Sequence, residues 1–169
     1  QTDIPEGLTD VMSISTNFDH SLALKSDGTV VAWGDNSFNQ ADIPEDLSNI
    51  IAITAGQYHS NALKSDGTVA GWGVDIYGGS PPDDLADVVA IEAGYRHSVA
   101  LKSDGTAVAW GNNVFGGLNV PEDLVDVVSI SSGYNHVLAI KSDDMIDGWG
   151  SNFQGQLDVP VFCDCFGNI

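Results

Sequence analysis

A period of about 39 residues dominates this sequence and limits what it can fold into. Trp33, Trp72, Trp110 and Trp149 follow one another at 39, 38 and 39 residues. His20, His59, His97 and His136 keep the same spacing, as do Leu8, Leu47, Leu85 and Leu124. The one missing residue falls between Trp72 and Leu85, in a Gly-Gly-Ser-Pro-Pro loop where a deletion is cheapest. Lys25, Lys64, Lys102 and Lys141 share one column, which leaves Arg96 as the only basic residue outside it. Four units therefore occupy about 4–42, 43–80, 81–119 and 120–160, with no linker between them.

Each unit reads as four short strands. In the third, Val88–Ala93 is apolar and β-branched, and His97–Lys102 follows a Gly-Tyr-Arg turn. Ser103-Asp104-Gly105 makes a hairpin turn into Thr106–Gly111, and a loop leads to a short strand at Leu118–Val120, ended by Pro121. Asn17 aligns with Gly56, Gly94 and Gly133, and Asp144 with Gly28, Gly67 and Gly105, so both columns read as left-handed positions. The runs Val-Val-Ala-Ile (88–91) and Val-Ala-Leu (99–101) lack polar alternation, as in a sheet covered on both faces. Four-stranded units of about 40 residues in series indicate an all-β propeller. A β-solenoid is the rival, but its coils are usually shorter and lack a fixed hairpin turn. No helix is expected.

Composition narrows the function. With 24 acidic against 5 basic side chains, the net charge is −19. Such a surface repels phosphate and anionic lipid, which argues against nucleic acid and membrane surfaces as partners. No apolar run approaches the ~18 residues of a membrane span, and no export leader opens the chain. Gln1 in place of Met reads as a processed or cut start. Cys163 and Cys165 both lie at the end, so the repeats need no disulfide or thiolate metal site.

The unit D-V-V-x-I-x-A-G-x-x-H-S-x-A-L-K-S-D-G-T-x-x-A-W-G-x-N, best seen at Asp87–Asn113, resembles the repeats of the regulator of chromosome condensation family. The Gly155–Pro160 ending, G-Q-L-D-V-P, is most similar to the compact bacterial form of that family, which includes a propeller-type β-lactamase inhibitor. The resemblance implies a propeller, usually of seven blades, and binding through a loop face. Four wedges of that shape span little more than half a circle. The expectation is a partial propeller with open terminal blades, completed by further blades or by self-association of two copies.

Candidate chemistry is sparse. The histidine column could converge on a metal, but its neighbours Asp19, Tyr58, Arg96 and Asn135 offer no shared ligand pattern, and each His is better read as bonded to a neighbouring turn. The Ser-Asp-Gly segments lack the alternating D-x-D-x-D-G spacing of a calcium loop. His20-Ser21, His59-Ser60 and His97-Ser98 are adjacent on strands, point to opposite faces, and lose the Ser to Val137 in the fourth copy. No phosphate loop, nucleophile elbow or zinc spacing appears. No cofactor, no metal and no catalysis are expected. The tryptophans read as core.

Chain parity places the informative surface. Loops after the first and third strands emerge on one face; the Ser-Asp-Gly turns emerge on the other, with Asp27, Asp66, Asp104 and Asp143. The first face collects Phe18, Tyr58, Tyr95 and Tyr134 from one loop set, and Phe38, Tyr77, Phe115 and Phe153 from the other. Around them lie Asp19, Asp35, Asp75, Arg96, Asn112 and Asn135. Aromatic side chains amid varied polar ones on loops suit a protein partner, the alternatives being a purely structural spacer or adhesin segment and a propeller lyase or hydrolase. Half of the rings could instead cap the core between blades. Residues 161–169, Val-Phe-Cys-Asp-Cys-Phe-Gly-Asn-Ile, read as the start of a Cys-rich module of the kind found in secreted proteins of marine bacteria, which places the chain outside the cell or on its surface. A reactive Cys pair is the other reading.

Overall fold

The structure is a computed structural model and describes residues 3–160. The cysteine segment at 161–169 lies outside them. Among the described residues, twelve strands form four antiparallel sheets, each a meander of three. The first comprises β1 (Val11–Asn17), β2 (His20–Lys25) and β3 (Val30–Gly34). The second holds β4 (Ile50–Ala55), β5 (His59–Lys64) and β6 (Val69–Gly73), followed by one 3₁₀ turn at Asp75–Tyr77. The third holds β7 (Val88–Ala93), β8 (His97–Lys102) and β9 (Ala107–Gly111), and the fourth β10 (Val127–Ser132), β11 (His136–Lys141) and β12 (Ile146–Gly150).

Among the described residues the expected fourth strand of each unit is absent. Its backbone donors are spent locally: Leu118 N donates to the Asn113 side chain and Asn119 N to the Gly116 carbonyl, while Pro121 has no N–H. The same Asn staple recurs at Asn36 with Ala41 and at Asn152 with Leu157. The segment is therefore a wound loop rather than a ladder.

Three apolar cores lie between consecutive sheets. Leu22, Leu24, Ile50, Ile53 and Trp72 fill the first junction. Leu63, Leu85, Val88, Ile91 and Trp110 fill the second, and Leu101, Leu124, Val127, Ile130 and Trp149 the third. The buried indoles each donate Nε1–H to a carbonyl of the preceding blade: Trp72 to Gln40, Trp110 to Gly78 and Trp149 to Gly117, at 2.8–3.0 Å. The middle strands β2, β5 and β8 are buried on both faces, as their sequence suggested, whereas β11 is buried on one face only.

The inner strands are not. Each carries a register shift at its second residue, between Ile50 and Ala52, Val88 and Ala90, and Val127 and Ser129. The bulge turns Ile51, Val89 and Val128 to solvent, so the run 88–91 is apolar without being buried throughout. Just before each inner strand, Asp10, Asn49, Asp87 and Asp126 adopt positive φ, and their carbonyls accept from Ser26, Ser65, Ser103 and Ser142.

One glycine column has a different cause from the one expected. Gly28, Gly67, Gly105 and Asp144 do have positive φ, between 66 and 82°. Gly56, Gly94 and Gly133 do not; instead a Cβ there would fall 2.0–2.2 Å from the imidazole of His59, His97 or His136. They are glycine to admit the ring. In the first blade the left-handed residue is Phe18 (φ 52°), not Asn17, because Asn17 still pairs with His20 and the reversal takes only two residues.

Candidate loop-face interaction site

The histidines set the loop geometry. His20 Nε2 lies 2.9 Å from Ser60 Oγ of the next blade, and His59 Nε2 lies 2.9 Å from Ser98 Oγ. Ser60 in turn donates to the Gln40 carbonyl at 2.8 Å and Ser98 to the Gly78 carbonyl at 3.2 Å. Each hydroxyl has one proton, so each Nε2 is the donor to its serine. In the fourth blade Val137 replaces that serine, and His97 bonds Ser132 at 3.0 Å instead. Burial lowers His20 and His97 to about 4 and His59 to about 3, which keeps the rings neutral. The sequence expected a bond to a neighbouring turn; the partner is a serine of the neighbouring blade.

These pairs could be mistaken for a nucleophile and its base. Ser60 and Ser98 are fully buried, their protons go to main-chain carbonyls, and the Nδ1 atoms of His20 and His59 have no orienting partner. That is the arrangement of a latch between blades. It leaves the hydroxyl unactivated.

Beside each histidine, the preceding carbonyl ties the two loop sets together. Asp19 O accepts from Asp35 N, Tyr58 O from Val74 N, Arg96 O from Asn112 N and Asn135 O from Ser151 N, at 2.7–2.9 Å. One residue further back, main-chain bonds run from blade to blade, with Gln57 N donating to Tyr95 O and Tyr95 N to Tyr134 O. The rings on these loops are thereby gathered on one surface.

They form a continuous platform. Tyr95 and Tyr134 stack with centroids 4.0 Å apart and planes 16° from parallel. Phe18 packs on both at 5.2 and 5.6 Å. Tyr58 lies 6.5 Å from Tyr95, 5.5 Å from Tyr77 and 4.5 Å from Phe38. The Arg96 guanidinium sits over Tyr77, Tyr95 and Tyr58 at 4.7, 4.8 and 5.7 Å. The neighbouring Tyr95 hydroxyl pushes Tyr134 up to about 12, and Tyr134 in turn pulls Tyr95 below its usual value. Phe18, Phe38 and Tyr134 remain nearly half exposed.

The structure thus brings together Phe18, Phe38, Tyr58, Tyr77, Tyr95, Arg96 and Tyr134 of the expected face, while Phe115 and Phe153 stand exposed with no ring contact among the described residues. The polar candidates shape their own loops. Asp35 accepts from Ser37 Oγ at 2.6 Å and from the buried Gln40 at 2.8 Å, Asp75 from Ser80 Oγ at 2.8 Å, and Asn112 Oδ1 from Val114 N at 3.0 Å. Asp19 is exposed beside His20, and Asn135 is half-buried. Below the rings, the inner strands line an open cleft of about 420 Å³ carrying Ser15, Thr16, Ser132 and Glu92, whose carboxyl is raised by burial.

On the opposite face Asp27, Asp66 and Asp104 each accept two hydrogen bonds from Thr29, Thr68 and Thr106. Those bonds hold the hairpin turns and lower all three carboxyls, Asp27 to about 2. Among the described residues no helix is long and apolar enough to cross a membrane.

No curated protein sequence matches the chain. Among solved structures, yeast RCC1 (Prp20), bound to Kap60, superposes with a TM-score of 0.70 at 21% identity, over 84% of this chain and 44% of that one. The CRINKLY ectodomain of the Arabidopsis thaliana receptor kinase ACR4 gives 0.69 at 24% identity, over 87% and 52%. The computationally designed protein Ika4 gives 0.54 at 20% identity, over 86% and 94%. The chain thus spans about half the length of the natural propellers it resembles, and the likeness is one of fold. The regulator of chromosome condensation (RCC1) repeat itself matches residues 11–40, 88–116 and 127–156, together more than half of the sequence. The second blade, shortened by one residue and with Asp75 in place of the stapling Asn, lies outside these matches; on the strength of the other three, this chain belongs to the RCC1 repeat family.

Proposed function

We propose that the chain is a non-enzymatic protein-interaction module, that its partner docks on the aromatic loop face, and that it works outside the cell as part of a secreted or surface protein. The observation that carries this reading is the unbroken run of rings from Phe38 to Phe18 with Arg96 lying over it. Tyrosine, phenylalanine and arginine on rigid loops supply contact area at little conformational cost, and interface hot spots are enriched in Tyr and Arg. The net charge of −19, with Asp19, Asp35 and Asp75 around the platform, favours a basic partner. One solved relative, yeast RCC1 (Prp20), is described with protein partners, bound to Kap60 and by its binding to Gsp1p and histones. The acidic, nearly arginine-free surface suits a saline, extracellular setting.

The test is a comparative capture from the medium of the source cells. Wild-type chain and the Tyr95→Ala/Tyr134→Ala double variant are immobilised side by side, with melting points recorded for both. A protein retained by the first and lost from the second, at equal thermal stability, supports the reading. Equal retention, or none, leaves a structural spacer as the better description.

A further inference from the structure

Glu92 is out of place in its column. The strand register aligns it with Ser15, Thr54 and Ser131, each opposite the third residue of a middle strand. Those three carry hydroxyls, and Ser15 Oγ accepts from Ala55 N of the next blade at 2.9 Å. Glu92 makes no hydrogen bond or ion pair among the described residues, and burial alone raises its carboxyl. It stands on the third blade, packed between the second and the fourth. A half-buried carboxylate without a partner costs stability, and the other blades fill the same place with a neutral group.

The cleft of about 420 Å³ that Glu92 lines contains no basic side chain. Its wall holds the hydroxyls of Ser15, Thr16 and Thr54 and the rings of Phe18 and Tyr134. The cations of the chain are engaged elsewhere. Lys25, Lys102 and Lys141 pair with Asp27, Asp104 and Asp147, and Arg96 lies over Tyr77, Tyr95 and Tyr58. Glu92 is thus left without a counter-charge on a chain whose excess of −19 draws basic groups toward it.

We propose that this cleft receives a lysine side chain of the protein partner, its ammonium on the Glu92 carboxylate and its methylene stem against Phe18 and Tyr134. The inference rests on the protein-docking reading above and names what the partner inserts. The cleft shares Phe18 and Tyr134 with the ring platform, so one docked surface reaches both. An ammonium has three diverging donors, and the oxygens here come singly from separate strands, Glu92 on β7, Ser15 and Thr16 on β1 and Thr54 on β4. The planar fork of a guanidinium gains most from paired acceptors. Aromatic walls suit both the stem and the charge of a lysine.

An NMR titration of the chain, carrying ¹³C at its glutamate carboxyls, with Nα-acetyl-lysine methylamide at constant ionic strength tests this. The Glu92 signal should shift and saturate, while Glu6, Glu45 and Glu122 stay near their starting positions. The same probe acetylated at Nζ should have no effect, and its arginine counterpart should bind more weakly. Glu92→Gln, followed through the amide signals of 92–93 and 132–134, should raise the dissociation constant about tenfold or more. Its melting midpoint should not fall, because an unpartnered charge has been removed. No shift at Glu92 up to about 50 mM probe overturns the proposal. So does an equal response of all four glutamates, equal binding of the acetylated or arginine probe, or unchanged affinity in Glu92→Gln. A lower midpoint for Glu92→Gln overturns it as well, since the carboxylate would then serve the fold. Capture of the partner separates this inference from the reading beneath it. A partner lost from the tyrosine double variant but fully retained by Glu92→Gln removes the lysine and leaves the loop face. Probe binding at Glu92 with no partner retained by the wild type removes the loop face and leaves the lysine site.

Discussion

Tyr95 and Tyr134 stack at 4.0 Å although they belong to different blades, held there by the Tyr95 N–H donated to the Tyr134 carbonyl. The backbone, not the rings, fixes the loops. Removing either ring should therefore leave the fold intact while stripping contact area from the face. Tyr95→Ala and Tyr134→Ala are each expected to weaken partner binding by ~1–3 kcal/mol, with a melting midpoint almost unchanged. A large drop in the midpoint would place these rings in the core and remove them from the interface.

The interblade latch predicts the opposite profile. Ser98 Oγ accepts from His59 and from Asn61 Nδ2 and donates to Gly78 O, all buried. Ser98→Ala leaves two buried donors unpaired and should cost ~1–3 kcal/mol in denaturant melts, with no selective loss of binding. A neutral result contradicts the latch.

Gly56 separates steric from backbone causes. Its φ is not positive, yet a Cβ would overlap the His59 ring. Gly56→Ala should destabilise by about 1–3 kcal/mol through overpacking. Combining it with His59→Ala should cost less than the two separate losses added together. Strict additivity would show that the ring is not the obstacle.

Acid should act first through the histidines. Their folded values, about 4 for His20 and His97 and about 3 for His59, lie below the usual 6.5, so the folded state binds fewer protons there than the unfolded state. Stability is then complete above about pH 6.5 and falls as pH drops toward 4, by up to about 3 kcal/mol for each ring. Asp27, Asp66 and Asp104 add losses only at lower pH, where carboxylates of ordinary acidity begin to protonate. Urea melts between pH 7 and 4.5 read this directly, and a flat profile counts against neutral buried rings.

Salt should stabilise the chain. Like charges crowd the turn face, and the lysines there make only surface pairs, such as Lys25 with Asp27 at 3.4 Å. Screening the excess of −19 should raise the midpoint between low and molar sodium chloride. No change would mean that the repulsion is already relieved.

Much of this architecture was legible because a repeat samples each position four times. The Trp, His and Leu columns marked the blades, and the Ser-Asp-Gly turns marked the hairpins and hence the two faces. The missing fourth strand was not legible, since Leu118–Val120 has strand residues and only the Asn113 side chain diverts its backbone. The bulges at Ile51, Val89 and Val128 were hidden for a related reason: an apolar run looks the same whether or not one residue turns out. The His20–Ser60 bond spans 40 residues, and no local pattern announces it. Phe38 and Phe115 stood in one column, but only Phe38 has a tyrosine beside it.

A partner should cover the aromatic loop face and leave the acidic turn face open to solvent. Hydrogen–deuterium exchange on the chain, free and saturated with the captured partner, reports this by segment. Protection should concentrate at 17–20, 57–59, 95–97 and 134–136 and in the loop holding Phe38. Protection confined to the turns at 26–28, 65–67 and 103–105 would contradict the central claim and move the interface to the acidic face.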